Sequence, residues 1–134
     1  MKHDKGALVA SWKRRSCQDL KAAKLLIGEE GMQETTLFHL QQAIEKALKA
    51  YLIWCAVNFP HTHDLEVLVD LAREQDAGFD RLDSVTALTD FAVAGRYPES
   101  DQWIDDCDPS DWMVIVQHSC DFIWQKIRHD QTTQ

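Results

Sequence analysis

The chain has little that would mark a membrane protein, a secreted scaffold or a familiar enzyme. Its longest apolar run is too short to span a bilayer. The opening Met1-Lys2-His3-Asp4-Lys5 leads into no apolar block and no small-residue cleavage site, so no signal peptide is expected and the protein is expected in the cytoplasm. Only four cysteines occur, Cys17, Cys55, Cys107 and Cys120, and none has metal-ligand spacing to another. Without a secretory signal they make a poor disulfide framework, and small buried thiols are the default. There is no glycine-rich phosphate loop, and Ser11, Ser16, Ser84 and Ser119 lack a nucleophile context. The pair Asp105-Asp106 lies in an acidic stretch where solvation is the simplest account. Neither metal nor cofactor is expected. Strand patterns, internal repeats, low-complexity tracts and linkers are also missing.

What is present suits one domain over residues 1–134. The apolar fraction is 45%, with five Trp and five Phe to fill a core. The net charge of -8 is uneven. Residues 1–24 carry seven Lys/Arg against two acids, whereas residues 60–111 carry three Arg against fourteen acids. An acidic chain is poorly suited to gripping long nucleic acid, whose affinity comes mostly from neutralised phosphates. A solvated helix face is the simplest account of the basic start; an anion or an acidic partner is the sharper one.

Five helical segments are legible. The first spans about Ala7 to Ile27, with Leu8, Trp12, Cys17, Leu20, Ala23 and Ile27 as its apolar face and Gly28 and Gly31 past its end. The second spans Glu34 to about Val57, with Thr35 or Thr36 near its N-cap. Its core stripe is Leu37, Leu40, Ile44, Ala47, Leu48, Tyr51 and Cys55. Asn58-Phe59-Pro60 ends it. The third opens at Thr62-His63-Asp64, with Thr62 as N-cap, and buries Leu65, Leu68, Val69 and Ala72 up to about Gln75. The fourth runs from about Arg81 to Ala94 over Leu82, Val85, Leu88, Thr89 and Ala92. Gly95-Arg96-Tyr97-Pro98 stops it. The last starts near Asp111, capped by Asp108 or Ser110, and buries Val114, Ile115, His118, Phe122, Ile123 and Trp124 up to Ile127. Residues 129–134 read as a fraying polar tail. Helices joined by short connections point to an all-α antiparallel bundle.

The order of several fragments resembles the HEPN family. They are Trp12…Asp19-Leu20-Lys21-Ala22-Ala23, then Phe38-His39-Leu40-Gln41-Gln42-Ala43-Ile44-Glu45-Lys46-Ala47-Leu48-Lys49-Ala50, then Phe59-Pro60…Thr62-His63-Asp64-Leu65, and last Arg96-Tyr97-Pro98. The resemblance implies an antiparallel up-and-down bundle of four main helices, here with a shorter fifth, usually paired into a homodimer, and one of two roles. Many HEPN proteins are metal-independent ribonucleases, often toxins. Others are nucleotide-binding or partner subunits, commonly encoded beside a small nucleotidyltransferase. The ribonucleases carry an Arg followed by a His after four to six residues, so that His moves a ribose hydroxyl proton and Arg holds phosphate charge. Here the permitted places after Arg96 hold Asp101, Gln102 and Trp103, and no other Arg is followed by His at that spacing.

The expected function is therefore a non-catalytic nucleotide-binding or regulatory subunit, partnering a nucleotidyltransferase in a toxin–antitoxin-like pair. The alternatives are a divergent ribonuclease using an unusual pair, Arg96 with His63 or His118, and a purely structural interaction module. The candidate phosphate and nucleotide contacts are Gln42, Lys46, Lys49, His63, Arg96 and Tyr97. Lysines supply point charges, Arg96 a fork, Gln42 an amide for a base edge or sugar, Tyr97 a stacking ring, and His63 a donor at a helix start. Each has a structural counterpart, such as the i,i+4 pair Glu45–Lys49, or a cap at the proline turn for His61-x-His63, a spacing that could otherwise bind metal. Trp12, Trp54, Trp112 and Trp124 are assigned to the core or a dimer contact.

Overall fold

The computed structural model describes residues 4–90 and 108–132, with side chains as far as Arg128. All its regular elements are helical. They are α1 (Lys5–Leu26), α2 (Gln33–Trp54), α3 (Leu65–Gln75), a 3-10 segment (Ala77–Ala87) and α4 (Pro109–Thr132).

Helices α1 and α2 form an antiparallel hairpin. Its register is fixed by Ser16 Oγ donating to the Ala43 carbonyl (2.7 Å) and Lys5 Nζ donating to the Trp54 carbonyl (3.0 Å). Gly28 and Gly31 turn the chain at φ 83° and 78°, values that a Cβ disfavours. The Asp4 carboxylate accepts from the Gly6 N–H and caps α1. The buried face of α1 is Val9, Ser16, Leu20 and Ala23, with Trp12 half-buried. Leu8 and Cys17, expected inside, are exposed. Each lies one residue, about 100° of helix turn, off the true stripe. Ser16 takes the inner place because the Ala43 carbonyl satisfies its hydroxyl.

Helix α2 is central, packed against α1, α3 and α4. The stripe Leu37, Leu40, Ile44, Ala47, Leu48 and Tyr51 is buried as expected, and Cys55 is half-buried just past the last turn. The helix starts earlier than expected, with Met32 at the N-cap. Thr36 lies inside the helix, its hydroxyl donating to the Met32 carbonyl (2.7 Å). At its other end Ala56 adopts φ 59° and sends the chain into the 58–64 loop.

Asp64, rather than Thr62, caps α3: its Oδ1 accepts from the Glu66 N–H, while the Thr62 hydroxyl accepts from the Asp64 N–H. Leu65, Leu68, Val69 and Ala72 are buried. The next segment, expected as an α-helix from Arg81, is a 3-10 helix over Ala77–Ala87 and α-helical over residues 88–90. Its buried side chains, Phe79, Leu82, Val85 and the following Leu88, recur every third residue. Three residues per turn align them on one face. Ala92, Arg96 and Tyr97 lie outside the described residues.

Asp108 Oδ1 accepts from the Ser110 N–H at the start of α4, and Pro109 occupies the first helical position. The buried face is Val116, Ser119, Cys120, Ile123, Trp124 and Ile127. Val114 and His118, expected inside, are exposed, and Ile115 and Phe122 are half-buried. The inner stripe is set by Val116, Cys120 and Ile123, which turns positions 114 and 118 outward. The Tyr51, Phe79 and Phe122 rings join α2, the 3-10 segment and α4, with centroids 4.5 and 5.1 Å apart. Lys126 Nζ pairs with Asp76 at 2.7 Å and ties α4 to the end of α3.

That ion pair and the Gly78 N–H hold the Asp76 carboxyl below the usual carboxylate range. A depressed folded-state pKa contributes stability above the unfolded pKa, which is lost as pH falls through the folded value. Asp76→Asn is therefore expected to lower stability at neutral pH. The deficit relative to wild type should shrink on acidification, as read by urea unfolding across pH. Leu48→Ala is expected to cost about 2–5 kcal/mol in the same assay, whereas Val114→Ala should stay within about 0.5 kcal/mol.

Candidate functional site

The middle of α2 carries three polar side chains that its packing takes out of water. Gln41, Glu45 and Lys49 are spaced by four and all buried. Glu45 Oε2 accepts from Lys49 Nζ (3.0 Å), and its Oε1 accepts from Gln41 Nε2 (3.2 Å). Gln41 Nε2 also reaches the His63 carbonyl (2.9 Å). His63 Nδ1 lies 3.1 and 3.2 Å from the two Glu45 oxygens. A carboxylate offers only acceptors, so Nδ1 is the donor. The His63 side chain is 76% exposed and that of Glu45 3%, so the imidazole closes the outer side of the carboxylate. Gln42 Nε2 donates to Gln41 Oε1 (2.9 Å), and the Lys49 ammonium lies 5.8 Å from the centre of the Trp12 ring. The network pins the 58–64 loop to α2.

Lys46, one residue beyond Glu45, points to α1. Its Nζ pairs with Asp19 Oδ2 at 2.5 Å, and Asp19 Oδ1 meets His39 Nδ1 at 2.9 Å. Beside this bridge opens a recess of about 330 Å³ lined by Arg14, Arg15, Gln18, Asp19 and Lys46. Three cations face one carboxylate there. Among the described residues, no acid lies within ion-pair distance of Arg14 or Arg15; Arg14 makes only a long contact to the Ser11 hydroxyl (3.5 Å). Two guanidinium forks, an ammonium and an amide around one open space can receive the oxygens of a phosphate or carboxylate.

The six residues singled out in the sequence thus fall into separate groups. Lys49 and His63 meet at Glu45, and Gln42 joins them through Gln41. Lys46 turns instead toward Asp19 of α1 and lines the cationic recess. Arg96 and Tyr97 lie outside the described residues. Sequence reasoning missed Arg14, Arg15, Gln18 and Asp19 as companions of Lys46. The available signal was the run Lys13-Arg14-Arg15 in a helix with few acids; its partner lies on the next helix.

Among the described residues no group of three or more His, Cys, Asp or Glu is placed to hold a metal ion, and no helix is long and apolar enough to cross a membrane. Burial pushes the Cys120 thiol up to about 12, so it is held as the neutral thiol.

The fold and this geometry define an all-helical domain with an open cationic recess between its first two helices. The chain belongs to the HEPN-domain family, whose family model matches residues 9–119. Comparison with curated proteins and with solved structures returned no match.

Removing Glu45 alone strands a buried ammonium. Glu45→Ala is expected to cost about 3–5 kcal/mol. Glu45→Leu with Lys49→Met should cost less than Glu45→Ala, because no charge is left unpaired; chemical denaturation of the three proteins checks this. Cys17 should be alkylated in the native state at neutral pH and Cys120 only after unfolding, as read by peptide mass spectrometry.

Proposed function

We propose that the protein is a non-catalytic HEPN-type nucleotide-binding or regulatory subunit, and that Arg14, Arg15, Gln18 and Lys46 receive the phosphates. The single observation supporting this reading is the recess itself, where three cations from two helices share one space with one carboxylate. Asp19 holds the Lys46 ammonium at the edge of that space and leaves both arginines without an acidic partner among the described residues. Water-facing guanidinium groups lose little on exchanging hydration for a phosphate, and each charge-assisted bond adds about 1.5–3 kcal/mol.

Lys49 and His63 have a different part in this reading. They neutralise and cover Glu45 beneath the loop, so their effect on a ligand runs through the stability of α2. Gln42 reaches the same network through Gln41. Arg96 and Tyr97 are proposed as a further phosphate fork and a base-stacking ring. Pairing with a nucleotidyltransferase and homodimer formation are proposed from the family; a toxin–antitoxin-like arrangement accommodates both.

Calorimetry with ATP and GTP tests the assignment. Arg15→Gln and Lys46→Ala are each expected to weaken binding about tenfold or more. Lys49→Ala should lower the unfolding midpoint with a smaller change in affinity. No heat at millimolar nucleotide would remove the binding claim. Metal-independent cleavage of RNA, abolished by Arg96→Ala, would replace this reading with a divergent ribonuclease. A stable partner complex without either activity would leave a structural module.

A further inference from the structure

A second recess, remote in chain position from the first, lies between the 3-10 segment and α4. It measures about 250 Å³ and is lined by Arg81, Leu82, Ser84, Ile115, His118, Ser119 and Phe122. Its charged group is left over by a particular division of partners. Asp80 and Asp83 flank Arg81 in sequence, yet both pair with Arg73, which also takes Asp70. Asp76, whose carboxyl feels the Arg81 charge at longer range, is bonded to Lys126. Among the described residues, Arg81 therefore has no carboxylate within ion-pair distance.

What holds Arg81 is a ring. Its guanidinium carbon lies 4.5 Å from the centre of Phe122. A ring is no strong hydrogen-bond acceptor, and no hydrogen bond among the described residues uses the Arg81 N–H groups. Two further groups in the recess have no hydrogen-bond partner among the described residues, the Ser84 hydroxyl and the His118 imidazole. Ser119 differs, because its hydroxyl donates to the Ile115 carbonyl (2.8 Å). The remaining wall is apolar, made by Leu82, Ile115 and Phe122. Among the described residues no carboxylate lines the recess.

We propose that Arg81, Ser84 and His118 form an oxyanion site for a small phosphomonoester carrying a flat apolar body, distinct from the Arg14–Lys46 recess. The guanidinium fork, hydroxyl and imidazole bind the phosphate oxygens, and the flat body packs against Leu82, Ile115 and Phe122. Phosphate fits the donor set better than a planar carboxylate, because three donors from two elements can surround a tetrahedral group.

The test is an NMR titration of the full chain with phenyl phosphate, inorganic phosphate and phenol as probes. Saturable shifts are expected at the Arg81 Nε–H, the His118 ring and the Phe122 ring. Phenyl phosphate should bind several-fold more tightly than inorganic phosphate, and phenol should not saturate. Arg81→Gln and His118→Gln, at exposed positions, should each weaken phenyl phosphate about tenfold. Arg15→Gln should leave these shifts unchanged. The proposal is overturned if no probe saturates, if phenol matches phenyl phosphate, if inorganic phosphate binds as tightly as phenyl phosphate, or if both variants bind like wild type. Shifts confined to Arg14, Arg15 and Lys46 would equally overturn it, while leaving the first recess intact.

Discussion

Helix α2 is packed against three other helices, so a carboxylate in its middle has to find its partners inside the protein. Glu45 does so with three neighbours supplied from two directions. Lys49 and Gln41 come from its own helix, one turn either way, and the His63 ring comes from the loop after α2, whose His63 carbonyl accepts from Gln41. A buried ion is tolerated only where its lone pairs are satisfied. The position of the 58–64 loop is thereby tied to the charge on α2, and the loop in turn sets where Asp64 begins α3.

The same logic sorts the remaining charges. Asp70, Asp80 and Asp83 gather on Arg73, and Asp76 pairs with Lys126, so both cations join neighbouring elements. Lysines at the bundle surface lie over tryptophans, Lys5 on Trp54 and Lys13 on Trp124, where an ammonium lies near a ring face while remaining wet. After these pairings Arg14, Arg15 and Arg81 remain without acids among the described residues, and each lines a recess. Both ligand proposals rest on cations left free by local pairing. The overall charge of -8 gives no hint of them.

Much of the fold was legible because spacing along one helix reports burial directly. The stripe from Leu37 to Tyr51 and the face Leu65, Leu68, Val69 and Ala72 were read correctly for that reason. Errors arose where one polar residue competed with an apolar neighbour. Ser16 is inside and Cys17 outside because the Ala43 carbonyl lies opposite Ser16. His118 is outside because Cys120 and Val116 set the inner stripe of α4. The three-residue recurrence of Phe79, Leu82, Val85 and Leu88 was visible, but it also suits an α-helix over a short span.

The sequence alone determined that the domain is helical, that α2 carries its core, and that the chain resembles the HEPN family, since periodicity and fragment order are properties of a line of residues. It also marked Lys46 and Lys49 as members of one charged row. Only the tertiary structure separated them, sending Lys49 to Glu45 and Lys46 to Asp19. Side chains three apart on a helix still differ in direction by about 60°, so which cation is neutralised internally depends on what the adjacent elements place in each direction.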